Sequence, residues 1–286
     1  MKKLLVALLL SASSTIAFAE PVITVSPKAI HPGDPVLVTV TGMTEVPQGK
    51  AGGQAIAFFA AKTGYQAVFA APIAINEDHM LVEIAGGAKP VSVAVPAKTF
   101  PETKLIVEEE LANPDKADRE KIDADNKAMT ESYAKANGAP QFTRAFKRPP
   151  GSVTSVFGEW RTFNDGHRAQ HLGLDLAARE GSRVVAVDDG TVVLVRDTML
   201  AGNVVVVAHG GGICSLYFHL SKTSVAEGDV VKQGGALGLA GHTGRTTGPH
   251  LHISMHVDGG MVDPAAFFKL AIAPARSPAK PASAAK

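Results

Sequence analysis

The sequence predicts a mostly β protein: two β-rich units joined by one helix. Three observations carry this. From residue 21 to about 105, short apolar runs alternate with turn residues. Residues 113–138 then form a single polar stretch with helical end signals. After Pro149 and Pro150, β-type sequence resumes to about residue 268, and two of its strands carry His or Asp on one face only.

The chain opens with Lys2 and Lys3, an apolar run over residues 4–10 and the small-x-small triplet Ala17, Phe18, Ala19. This reads as a secretory signal over residues 1–19, too short in its apolar part to span a bilayer. The mature chain is expected to begin near Glu20, with no later stretch able to cross a membrane. Losing two lysines moves the formal charge from +1 to −1, which gives no argument for nucleic acid. Cys214 is the only cysteine, so an exported protein here has no internal disulfide and relies on core burial and whatever a metal adds.

In the leader, residues 20–112, Val22 to Val25 and Val36 to Val40 read as strands on either side of the turn-rich Pro32, Gly33, Asp34 and Pro35. Gly64 and Asn76, Glu77 and Asp78 punctuate later ones. Short strands at this spacing predict a small β-sandwich or barrel. His31 and His79 read as lone and solvated. Residues 113–149 are expected to be a helical connector. Asn113 is its N-cap, Pro114 its first residue, Asn137 and Gly138 its end, and Ile122, Met129, Tyr133 and Ala136 a thin apolar stripe. The second unit spans residues 150–270. Residues 271–286, rich in Ala, Pro, Ser and Lys, read as a disordered tail, solvated or brushing an anionic wall.

The informative strands lie in that second unit. The 171–176 segment alternates His171 and Asp175 with Leu172, Leu174 and Leu176. The 250–257 segment alternates His250, His252 and His256 with apolar residues. Packing alone gives no reason to set His and Asp opposite a buried face, so the pattern suggests a zinc site on the open face of a sheet. Residues four apart on a straight strand are roughly 13 Å apart, too far for His171 and Asp175 to share an ion with bonds near ~2 Å. The segment must bend, and Gly173 is where bending is easiest. His250 and His252, about 6.6 Å apart, can both face one ion, and spacing does not say which binds it. In the 213–219 strand, Cys214, Leu216 and Phe218 are expected on one face and Tyr217 and His219 on the other. Residues 241–249, with three glycines and three threonines, form a loop beside His250.

Other polar residues take plainer readings. His256 reads as a groove-edge or solvent residue, His209 as structural, and His167 and His242 as loop residues flanking a groove. Asp165, Asp188 and Asp189 read as turn formers, and Tyr217 either meets substrate or packs.

Val156-Phe157-Gly158, the 171–175 segment, Asp189-Gly190, Gly202-Asn203, His209-Gly210, residues 217–220, residues 241–244, Thr247-Gly248-Pro249-His250-Leu251-His252 and Val262-Asp263-Pro264 follow one another in the order seen in lysostaphin-type (LytM-like) zinc metallopeptidases. The chain resembles that family over about residues 150–268. Residues 20–141 are only loosely similar to the β-rich leaders of some exported members. The resemblance implies an antiparallel β core with a groove over one zinc ion held by His171, Asp175 and His252. It also implies that His219 and His250 are catalytic without being ligands. The activity it implies is a zinc endopeptidase cutting peptide stems or cross-bridges of peptidoglycan, with zinc-activated water as nucleophile. The helical H-E-x-x-H motif is absent, so no Glu base is expected.

Two other functions compete. A catalytically silent exported protein that activates a partner wall hydrolase would be expected to have lost zinc residues, and all five are present. A thiol hydrolase using Cys214 is set aside because Cys214 is expected to face away from His219. The leader is read either as a restraint over the groove, displaced by a regulatory protein partner, or as a spacer. A signal without an anchor suggests a periplasmic location.

Overall fold

The computed structural model describes residues 20–74, 78–86 and 88–274. Residues 1–19, read above as a signal, the turn residues Asn76 and Glu77, and the chain from residue 275 lie outside these. The protein is mostly β, with antiparallel sheets, as expected. In the leader, β1 (Val22–Ser26), β2 (Pro35–Thr41), β6 (Tyr65–Ala70) and β5 (Phe59–Ala60) form one sheet in that order. A second contains β4 (Gln54–Ile56), β3 (Gly49–Ala51), β7 (His79–Ile84) and β8 (Val91–Ala94). Strand β2 carries consecutive apolar residues over 36–38 because both its faces are covered there. Val36, Val38 and Val40 fill the leader's own core. Leu37 faces the other way and joins Phe59, Val68 and Ala70 in the core of the second unit. His31 and His79 are exposed but not lone: they pair with Asp34 and Asp78.

The leader also contributes β9 (Glu102–Lys104), which pairs in parallel with β11 (Trp160–Thr162). With β12 (Arg168–Gln170) these make a three-stranded sheet. The second unit therefore draws on chain upstream of residue 150.

The helix begins later than expected. A short α1 (Glu109–Ala112) ends at Asn113, and α2 (Lys116–Tyr133) starts after Asp115, whose carboxylate accepts the Asp118 amide at 2.9 Å. Asn113 instead closes α1, its amide donating to the Glu109 carbonyl, so the cap of the next helix falls to Asp115. A 3-10 turn (Ala134–Ala136) follows. Met129, Tyr133 and Ala136 pack on Val204, Val206, Leu216 and Phe218. Arg196 Nε and the Met199 amide anchor the buried Asp125 at 2.7 and 3.0 Å.

The second unit is built on a ten-stranded sheet. Its path is β10 (Val153–Ser155), β13 (Leu174–Ala177), β20 (His250–Val257), β17 (Ile213–Thr223), β16 (Gly202–Gly210), β15 (Gly190–Thr198) and β18 (Val230–Val231). To this path are joined β14 (Arg183–Val185), β19 (Ala236–Ala240) and β21 (Gly260–Val262). One face packs Leu174, Leu176, Leu251, Ile253 and Met255 into the main core, against Phe267 of α3 (Pro264–Phe267). Helix α2 and the 3-10 turn cover part of the opposite face, and the rest is open. The first residues of the segment expected to be a disordered tail, 271–274, pack on the leader. Ile272 is buried, Ala273 exchanges hydrogen bonds with Lys62 and Gln66, and Pro274 bridges Ala61. Apolar burial of Ile272 and hydrogen bonds to the Lys62 amide and the Gln66 side chain hold this end in place.

Candidate metal centre and groove

Strand register sets the centre. Asp175 of β13 lies opposite His252 of β20, and His252 lies opposite Phe218 of β17. These side chains share the open face because alternation on β20 sends Leu251 and Ile253 into the core. His171 precedes β13, and the chain bends at Gly173 to bring it back. The glycine is required, since a Cβ there would collide with the His252 ring and the Ser254 hydroxyl. The bend has one consequence the alternation did not anticipate. Leu172 is 40% exposed, not buried, because the strand pattern starts only at Leu174.

The bend places His171 Nε2 3.1 Å from Asp175 Oδ1 and 2.9 Å from His252 Nδ1, which lies 2.8 Å from the same Oδ1. His171, Asp175 and His252 are the group able to share an ion among the described residues. Their outer contacts fix their tautomers. His171 Nδ1 faces the Val156 carbonyl at 2.8 Å, so that nitrogen carries the proton. Ser254 Oγ donates to the Leu172 carbonyl at 2.8 Å, so His252 Nε2, 2.9 Å away, must donate to Ser254. Both inward nitrogens are then lone pairs, facing each other and a carboxylate oxygen with no proton between them. That donor set fits a cation. Burial pushes His252 down to about 4, which keeps it neutral.

The second carboxylate oxygen of Asp175 accepts from Arg161 Nη2 at 2.6 Å. Arg161 also donates to Ser155 and Glu159, and Glu159 accepts from Thr103 at 2.7 Å. Burial pushes Glu159 up, and the hydrogen bonds from Ser155 and Thr103 reverse this and lower it.

His219 and His250 stand beside the trio. Their ring centroids are 5.0 Å apart, and His219 is 5.9 Å from His252. His219 Nδ1 donates to the Thr243 carbonyl at 2.8 Å, and His250 Nδ1 to the Gly248 carbonyl at 2.8 Å. Each is left with Nε2 as a free lone pair, and His250 Nε2 is 3.6 Å from Asp175 Oδ1. Burial, then the neighbouring His252 and His250, pushes His219 down to about 3, so it is neutral.

The expected alternation on β17 fails at this point. His219 has φ 59, and the register with β16 slips between Asn203 and Val205, so that Phe218 and His219 together oppose one residue. This bulge turns both side chains into the groove. Tyr217 instead faces the core, fully buried, accepting from the Val187 amide and Ser215. With the bulge, Cys214 does not face away from His219 as expected. It sits on the Phe218 side, but five residues from His219, roughly 16 Å along the strand, and burial pushes its thiol up to about 12.

A groove of about 940 Å³ runs over the centre. Thr103, Leu105 and Val107 of the leader form part of its wall, and residues 245–250 form another part. His167 stacks on Phe163, and His242 pairs with Glu180. His209 is structural: buried, and bonded to the Asp189 carbonyl and Ser215. His256 is not a groove-edge residue, because Tyr133 of α2 stacks on it at 4.1 Å and burial pushes it down to about 4. Asp165 is a turn former, accepting the His167 amide. Asp188 and Asp189 do more than form a turn. Asp189 pairs with Lys232 and Arg144, and burial pushes Asp188 up to about 6.

Sequence reasoning missed Arg161, Ser155, Glu159 and Ser254. Ser254 was visible as the polar-face residue two beyond His252, but the others converge only through tertiary pairing.

An antiparallel sheet with a His–Asp–His trio on its open face, two further imidazoles and a groove across them makes a candidate metal centre with room for a ligand beside it. Residues 169–264 match the profile of Peptidase family M23. ShyA of Vibrio cholerae, a peptidoglycan DD-endopeptidase, is 40% identical over 136 residues, which cover 46% of this chain and 31% of that one. Mpg of Neisseria meningitidis, a DD-carboxypeptidase/endopeptidase, is 43% identical over 94 residues, 33% of this chain and 22% of that one. The chain thus spans less than a third of these relatives' length. A Pseudomonas aeruginosa crystal structure assigned to peptidase M23 matches with 28% identity and TM-score 0.63, covering 83% of this chain and 94% of that one.

Proposed function

We propose that this protein is a zinc-dependent endopeptidase that hydrolyses peptide bonds in the stems or cross-bridges of peptidoglycan. The observation that carries the reading is the convergence of two tautomer-fixed imidazole lone pairs and one carboxylate oxygen. His171 Nε2, His252 Nδ1 and Asp175 Oδ1 would hold the ion. When bound, zinc supplies Lewis acidity: it lowers the pKa of water and polarises a carbonyl. Asp175 is kept in position by Arg161 on its other oxygen.

The two free Nε2 atoms do the proton work. A neutral imidazole takes the proton from the attacking water as oxygen bonds to the peptide carbon, and returns it to the leaving nitrogen as the C–N bond breaks. The second imidazole faces the carbonyl oxygen and donates to it once protonated. His219 is suited to acceptance because burial keeps it unprotonated. The relatives named as peptidoglycan endopeptidases support the substrate class. The signal-like residues 1–19 support export to the periplasm, and the division into leader, connector, peptidase unit and tail is part of the same proposal. The leader supplies a groove wall, and no leader residue joins the metal-competent trio among the described residues.

The test is digestion of purified sacculi by mature protein of measured zinc content, with products identified by mass. Wild type is expected to hold one zinc and release cut peptides, and Asp175→Ala to lose both. Near-stoichiometric zinc in Asp175→Ala overturns the ligand assignment. A zinc-loaded wild type that binds sacculi and cuts nothing overturns the enzyme reading in favour of a binding protein.

A further inference from the structure

The groove holds a half-buried cation whose charged edge meets no hydrogen-bond acceptor among the described residues. Arg245 lies on the wall beside His250, with its guanidinium carbon 4.0 Å from the centroid of the buried Phe163 ring. Its guanidinium has no hydrogen-bond acceptor and no ion pair among the described residues. The other arginines around the centre are satisfied. Arg161 is committed to Asp175, Ser155 and Glu159, and Arg168 pairs with Glu102 over the Trp160 ring. Arg179, on the rim, is exposed to water. Asp165 is near enough to favour the Arg245 charge, while burial and Arg161 work against it.

Arg245 is also fixed in place. Its amide donates to the Leu200 carbonyl at 2.8 Å. Gly244 before it has φ +74, and a Cβ there would strike the backbone at Leu200 and Gly202. The Thr243 hydroxyl bonds the Asn203 amide and the Leu220 carbonyl. The same loop supplies the carbonyl of Thr243 to His219 and that of Gly248 to His250. A guanidinium held flat on an aromatic ring, by a loop that also orients two imidazoles, is preorganised to present its free N–H edge to a planar anion.

We infer that Arg245 is a carboxylate-binding subsite: it receives a free carboxylate of the peptide substrate and so places the neighbouring amide over the centre. This rests on the peptidase reading above. It makes the enzyme selective for acidic peptide stems over stems whose carboxylates are amidated.

The experiment uses the full mature zinc-loaded protein with two probes: a cross-linked acidic peptide from peptidoglycan, and the same peptide with its carboxylates amidated. Wild type is expected to cut the acidic peptide with kcat/KM roughly 10- to 100-fold higher, mainly through KM, as a charged hydrogen bond of this kind supplies. Arg245→Met should remove that preference by bringing the acidic rate down toward the amidated one, with zinc content unchanged. Arg245→Lys should restore part of it. Equal loss on both peptides, or a preference that survives in Arg245→Met, overturns the subsite. If zinc-loaded wild type cuts neither peptide, the endopeptidase reading fails. Equilibrium binding of the two peptides then decides the subsite: tighter acidic binding that depends on Arg245 supports it, and equal binding refutes it.

Discussion

Ser254→Ala is the substitution that most directly tests how the centre is held. Ser254 is 2% exposed, and its hydroxyl accepts from His252 Nε2 at 2.9 Å and donates to the Leu172 carbonyl at 2.8 Å. It ties β20 to the bent segment that carries His171, and it forces the His252 proton onto the outward nitrogen. Alanine leaves a buried N–H and a buried carbonyl without partners, at about 1–3 kcal/mol each. It also lets His252 adopt the tautomer whose inward nitrogen cannot ligate. Losing a partner of this kind weakens a metal site by roughly 10–100-fold. Zinc should therefore stabilise the variant by about 1.4–2.8 kcal/mol less than it stabilises wild type at the same free zinc. The assay is competition with a chromogenic chelator, alongside urea unfolding with and without zinc. A zinc affinity within twofold of wild type, in a folded variant, refutes the relay.

Three further outcomes are expected. His219→Ala and His250→Ala should keep zinc and lose cleavage by roughly 10²–10⁴-fold, and loss of zinc in His250→Ala with retention in His252→Ala would show the pair reversed. A protein beginning near residue 150 should cut sacculi more slowly than the mature chain, because it lacks the wall of Thr103, Leu105 and Val107; a faster cut would show that the leader restrains the enzyme. Burial holds His256 at about 4 in the fold against 6.5 unfolded, so below 6.5 the unfolded chain binds the extra proton. Its contribution is complete above pH 6.5 and falls by on the order of 3 kcal/mol by pH 4. His256→Phe should flatten the urea stability profile across that window, and an unchanged profile would refute the effect.

Much of the centre was legible because it obeys strand alternation. The 250–257 strand appears with the expected bounds, and Gly173 bends where geometry required. What was not legible depends on partners distant in sequence. The bulge at His219 places a non-glycine residue at positive φ, and no local signal marks it. Arg161 reaches Asp175 only because the 160–170 hairpin folds beside β13. His256 followed the pattern of its strand, but α2 covers that end of the face, which a helix read as solvent-facing did not suggest.

Strand β9 has a consequence for the protein's behaviour in solution. It closes the open side of β11, and then forms the sheet's outer edge itself with only three residues, two of them the charged Glu102 and Lys104. A short charged border is a poor template for another chain. Cutting the protein between the units removes that border and bares the backbone of β11 beside Trp160. The excised unit should self-associate with rising concentration while the intact chain stays dispersed, so the connection between the units also acts as a guard against aggregation.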